Sequence, residues 1–176
     1  MTVPFNTSNM AGVNYNYVYT PPATGAYNYG TSNPDFAVGQ LSTGSDGSVW
    51  VYCKIGTGGA TALGYVMVID EDYLAVMMSN SVGAAGDRIG VFAGNSAAIA
   101  NDYAWLQIYG TCDAVQVLAS AAANVPLAST TTAGALDDAT GTGTKNITGL
   151  VLTTARAASQ GNAPAELNWP IVGTTN

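Results

Sequence analysis

From residue 36 onward the chain is cut into short runs of alternating apolar residues, each closed by glycine, asparagine, aspartate or proline. A period of two places successive side chains on opposite faces of an extended strand, whereas an amphipathic helix needs a repeat near 3.6. In GSDGSVWVYCKIG a turn at Ser45-Asp46-Gly47 leads into Val49, Val51 and Cys53, which alternate with Trp50, Tyr52 and Lys54. LGYVMVIDEDYLAVMM carries two apolar runs, 63–69 and 73–78, broken at Asp70-Glu71-Asp72. RIGVFAG, YAWLQIYG, DAVQVLAS, NVPLAST and ITGLVLTTA follow as further strand candidates.

Three local readings are more specific. NSAAIANDY is expected to form a single helical turn before Tyr103. Gly110-Thr111-Cys112 reads as a break between two strands. APAELNWPIVG contains Pro164 and Pro170, which cannot donate to a ladder, so it reads as an extended edge segment. Along YAWLQIY, Tyr103, Trp105, Gln107 and Tyr109 share one face and Ala104, Leu106 and Ile108 the other. Both faces are largely apolar, so one is expected against the chain's own core and the other against a neighbour.

Composition supports the same class. Glycine contributes 21 residues, while Glu71, Glu166, Lys54 and Lys145 are the only glutamates and lysines. The expectation is an all-β fold, a small barrel or a sandwich of short strands, over residues 36–176. Residues 1–35 differ. NYNYVYTPPATGAYNYGTSNP interleaves tyrosine with asparagine and carries Pro21, Pro22 and Pro34, which excludes a helix. This stretch is either a tail without fixed structure or an extended arm whose tyrosines order on a partner, and we take the arm as the expectation.

The charge balance excludes several functions. Lys54, Arg88, Lys145 and Arg156 stand singly against eleven acids, giving a net charge of −7. Nucleic-acid binding needs basic clusters that displace counterions, and an anionic membrane surface needs the same. Neither is expected. No run of eighteen apolar residues marks a transmembrane helix, and MTVPFNTSNM has no basic and apolar leader pattern. The sequons at Asn6 and Asn146 therefore carry no weight, and Cys53 and Cys112 read as reduced, partly buried thiols. Only 9% of residues are charged, which suits a surface that is largely covered by partners.

Candidate chemistry is sparse. Without histidine there is no Ser-His-Asp or Cys-His set, and two separate cysteines complete no zinc site. Asp70-Glu71-Asp72 reads as a solvated turn rather than a calcium loop, since it lacks the alternating ligands and central glycine of an EF-hand. Asp137 and Asp138 are adjacent, and neighbours on a strand point to opposite faces, which makes them a poor acid–base pair. GTGGAT lacks the Lys-Ser/Thr end of a phosphate loop. No cofactor and no metal are expected, and the chain is not read as an enzyme.

The run at 97–155, with NDYAWLQIYG, ASAAANVPL, TTTAGALDDAT and ITGLVLTTA, resembles a recurring block in tailed-bacteriophage structural proteins. These are the small capsid decoration, or cement, proteins and related virion proteins; upstream, GSDGSVWVYCKIG and VIDEDY are also similar, and the resemblance spans about residues 44–172. It implies a barrel-like or tulip-like domain, often a trimer, on the capsid exterior of a virion made in a bacterial cytoplasm. The implied partners are the major capsid protein and further copies of the chain. An extended terminus commonly embraces neighbouring subunits in such proteins. The candidate interface residues are Tyr15, Tyr17, Tyr19, Tyr27 and Tyr29 of the arm, with Trp105, Tyr109 and Trp169 of the domain. Another virion component, a head fibre base or tail protein that binds a host surface glycan, is the alternative.

Overall fold

The computed structural model describes residues 13–22, 34–60 and 62–176, and among them there is no helix. The strands are β1 (Val18–Tyr19), β2 (Leu41–Thr43), β3 (Val49–Ile55), β4 (Val66–Ile69), β5 (Leu74–Met77) and β6 (Arg88–Phe92). They continue with β7 (Tyr103–Val117), β8 (Leu127–Ser129), β9 (Leu136–Asp137), β10 (Lys145–Leu152) and β11 (Gly161–Thr175). All belong to one sheet, in the order β1-β7-β9-β8-β10-β11-β6-β4-β5-β3-β2, with further pairings of β7 to β11, β6 and β3. The all-β expectation therefore holds, and the sheet is ring-like without forming a single clean barrel.

β7 explains the shape. Its first half pairs with β3, from Tyr103↔Lys54 to Tyr109↔Val49, and touches β1 and β6 along its other edge. Its second half pairs with β11, from Tyr109↔Asn168 to Val117↔Gly161, and ends beside β9. One circuit of paired strands runs β7-β6-β4-β5-β3 and a second runs β7-β11-β10-β8-β9. Each encloses apolar side chains. Val51, Cys53, Ile55, Met67, Ile69, Phe92, Leu106 and Ile108 fill the first, while Val115, Val117, Leu127, Leu136, Leu150 and Leu152 lie in the second. β4 separates the two cores, with Met67 and Ile69 facing one and Val66 and Val68 the other. Its unbroken apolar run is what a strand buried on both faces requires.

The break expected at Gly110-Thr111-Cys112 is absent, and β7 runs through it as 15 residues. Gly110 takes φ +89°, a left-handed conformation natural to glycine, and it bends the strand between its two partners without ending the ladder. Further on, Cys112↔Ala165 and Val115↔Ala163 enclose two β7 residues opposite one on β11, which is a β-bulge. The bulge moves the inward-facing phase from Cys112 to Val115 and Val117.

The C-terminal segment also departs from expectation. It is β11, paired to β10 on one side and to β7 and β6 on the other, so it is central rather than an edge. Its prolines sit where the ladder needs no donor. Pro164 is the single residue opposite the β7 bulge, and its carbonyl accepts the Thr153 N–H at 2.9 Å. Pro170 falls in the irregularity between the Leu150↔Leu167 and Thr148↔Ile171 pairs. The helical turn expected in NSAAIANDY is likewise not formed. Ala98 pairs with Ala60 in an isolated bridge, and the Asp102 carboxylate accepts the Ile99 N–H at 2.8 Å, closing a non-helical turn.

Residues 13–22, assigned by sequence to the arm, lie in the body of the domain. β1 pairs Val18↔Ala104 and Tyr19↔Tyr103, and Tyr15 is 2% exposed within a third apolar cluster with Val13, Trp50, Tyr52 and Trp105. The second face of β7, expected against a neighbour, is thus covered by the chain's own N-terminal segment. Tyr15 stacks on Trp50 with centroids 4.6 Å apart and meets Trp105 edge-on at 5.6 Å. Its hydroxyl lies 2.7 Å from Ser42 Oγ, giving the buried polar end a hydrogen-bond partner. The rest of the 1–35 segment, apart from Pro34 and Asp35, lies outside the described residues.

Candidate interaction surface and apolar cleft

The eight candidate interface residues separate into three groups. Tyr15, Tyr19 and Trp105 are buried in the chain's own core, because β1 and the loop before it cover the aromatic face of β3 and β7. Those rings present no free surface. Tyr27 and Tyr29 lie outside the described residues. Tyr17, Tyr109 and Trp169 are exposed, at 50%, 40% and 50%.

Tyr109 and Trp169 come together. Tyr109 is the last β7 residue paired with β3, and its β11 partner is Asn168, the neighbour of Trp169. Trp169 has φ +51°, a conformation a bulky side chain rarely adopts, set in the irregular stretch of β11 opposite Gly149. Because the backbone turns there, the indole leaves the regular alternation and projects outward. The two rings then lie 6.1 Å apart at 38°.

Beside Trp169 opens an apolar cleft of about 150 Å³, with Leu41, Tyr73, Arg88, Ile108 and Pro170 among its walls. Leu41 is exposed at its mouth, and Ile171, also exposed, continues the apolar surface along β11. Arg88 is the cation of the cleft. Its guanidinium carbon lies 4.3 Å from the Tyr73 ring centroid, and Nη2 donates to the Asp70 carbonyl at 2.7 Å. Tyr73, Arg88 and Leu41 escaped sequence reasoning, which took Arg88 as one scattered charge. No local pattern could have grouped them, since the Arg88↔Ile171 pairing that brings β6 beside β11 spans most of the domain.

The remaining chemical candidates are used locally. Asp70 Oδ1 accepts the N–H groups of Asp72 and Leu74 at 3.0 and 2.8 Å, which makes the acidic triplet a hydrogen-bonded turn. Among the described residues no three His, Cys, Asp or Glu side chains converge as a metal site would need. Burial raises the Asp137 carboxyl above its ordinary range, helped by the side chain of Asp138, while Asp137 Oδ1 accepts the Asp138 N–H at 2.9 Å. Burial raises both thiols as well, Cys53 strongly and Cys112 to about 12. The Cys112 thiol donates to the Ala114 carbonyl at 3.5 Å, and the residue lies buried within β7 rather than in a break between strands.

The thiols provide a test of packing. At pH 8 the folded protein is expected to react with iodoacetamide at least about a hundredfold more slowly than the denatured chain, because the thiolate is the reactive form. Mass spectrometry of timed quenches reads this directly; rapid labelling of either cysteine in the folded state would mean that its core opens readily.

Compared with known proteins, the chain matches no family model and no curated protein sequence.

Proposed function

We propose that the chain is a structural virion protein that binds the outside of a phage capsid lattice and stabilises it by bridging capsid subunits. The Tyr109–Trp169 surface is the contact in this reading. The observation that carries it is that pair of large aromatic rings, held outward by a strained backbone turn and continued by Leu41 and Ile171. Tryptophan and tyrosine are enriched among the residues that carry most of the binding energy at protein interfaces. The resemblance of residues 97–155 to decoration proteins supplies the partner, the major capsid protein, and the expectation of a homotrimer on the virion exterior. A net charge of −7 suits an outer surface better than contact with packaged DNA. On a repeating lattice, many modest contacts add through avidity, so no single site need be strong.

Co-sedimentation with emptied heads of the encoding phage tests this reading. The variant carrying Trp169→Ala and Tyr109→Ala is expected to lose at least about tenfold in head occupancy, while circular dichroism shows an intact fold because both rings are exposed. Unchanged occupancy, or a chain found on tails and absent from heads, would sink it.

The glycan-binding alternative draws on a different feature of the same face. Trp169 and Tyr73 border a cleft that also holds Arg88, and aromatic rings with a nearby donor suit a sugar ring. Saturable binding of neutral oligosaccharides, abolished by Trp169→Ala with head occupancy unchanged, would favour it.

A further inference from the structure

We infer that the cleft beside Trp169 receives one bulky apolar residue of a partner chain together with a carboxylate adjoining that residue. The volume, about 150 Å³, is of the order that encloses a single benzene-sized group. Leu41, Ile108, Trp169 and Pro170 give it apolar walls, which gain from an apolar guest and exclude a hydrated one. The rim is different. Arg88 forms no salt bridge with any carboxylate among the described residues, and residues 1–12, 23–33 and 61 contain no aspartate or glutamate.

The guanidinium is already oriented. Stacking over Tyr73 at 4.3 Å and donating from Nη2 to the Asp70 carbonyl, it is held in place with further N–H donors not used by those contacts. A planar fork fixed in this way is suited to a carboxylate, which takes two parallel hydrogen bonds. An apolar guest with no charge would leave those donors facing water. One with an ammonium group would meet the guanidinium as a like charge. Asp70, Glu71 and Asp72 in the neighbouring turn and Asp87 beside Arg88 oppose an anion at longer range, so the carboxylate must lie directly on Arg88 to be favoured.

The choice of a protein guest rests on the reading of this face as the capsid contact; the acid-plus-apolar chemistry rests on the cleft alone. The test titrates the full chain with N-acetyl-L-phenylalanine, N-acetyl-phenylalanyl-aspartate amide, N-acetyl-L-phenylalanine amide and 3-phenylpropionate. The readout is the change in tryptophan emission, assigned to Trp169 by its loss in Trp169→Phe, since Trp169 alone of the three tryptophans lines the cleft. At least one acid is expected to bind about tenfold more tightly than the neutral amide. Arg88→Gln, an exposed substitution, is expected to reduce that acid to the amide's affinity without altering the circular dichroism spectrum. Equal binding of acids and amide, no saturable change, or a preference that survives Arg88→Gln would overturn the inference. Tighter binding of 3-phenylpropionate than of both peptide acids would overturn the protein origin of the guest. Head occupancy is measured separately, so loss of the capsid reading alone leaves the acid–amide difference in place.

Discussion

Replacing Tyr15 with alanine is expected to lower the free energy of unfolding by about 3–5 kcal/mol, the usual range for a buried aromatic ring. The side chain is almost fully enclosed, stacked on Trp50 and set edge-on to Trp105, with its hydroxyl paired to Ser42. Its removal leaves a cavity over the aromatic face of β7 and strips Ser42 of a buried partner. Tyr17, two residues on and exposed, is the internal control: Tyr17→Ala should change stability by no more than about 0.5 kcal/mol. Urea denaturation of both variants reads the difference. An arm separate from the domain predicts two small and similar effects, so a Tyr15→Ala value below about 1 kcal/mol would show that residues 13–22 do not hold the core in solution. The same packing means that a deletion of residues 1–35 removes core as well as arm. It should therefore destabilise the domain by at least as much as Tyr15→Ala, and loss of capsid binding in such a deletion would not by itself locate the contact.

Gly149→Val is expected to cost about 3 kcal/mol or more, combining a left-handed backbone forced on a β-branched residue with overpacking against the opposing strand. Gly149 has φ +80°, and a Cβ there would stand 2.5 Å from the Asn168 carbonyl oxygen and 3.2 Å from Pro170 Cα. Those contacts are backbone atoms, which cannot rotate away. Relief must come from shifting β11 at the turn that projects Trp169. The variant should therefore show two linked changes: a lower thermal midpoint and an altered Trp169 emission maximum. Val151→Ala, exposed on the same strand, should show neither. A stability loss with an unchanged Trp169 environment would mean that the irregularity and the outward indole are independent.

The alternation of residues was enough to read much of the ladder. Val51 and Cys53 face one core while Trp50 and Tyr52 face another cluster, as a period of two dictates. The acidic triplet forms the turn between β4 and β5 for the same local reason: Asp70 can accept from the N–H groups two and four residues ahead. The misreadings share a cause. Gly110 and Pro164 are residues that commonly end strands, and here a bend and a bulge absorb them inside two 15-residue strands. A proline's missing donor matters only if the position opposite needs one, and that depends on the register of a strand about fifty residues away. The site was half legible. Trp169 and Tyr109 stood out as large aromatics, but Arg88, Tyr73 and Leu41 join them only through pairings distant in sequence.

Sequence alone therefore determined the class of structure: an all-β fold of short alternating runs, with no histidine for a catalytic set and no basic cluster, because composition and a period-two pattern act within a few residues. Tertiary structure decided which apolar faces are spent on the chain itself. The aromatic face of β7 reads the same whether a neighbour or Tyr15 covers it, since hydrophobic burial is indifferent to the origin of the covering group. Only the return of residues 13–22 onto that face, and the turn that projects Trp169 outward, separate core from exposed surface.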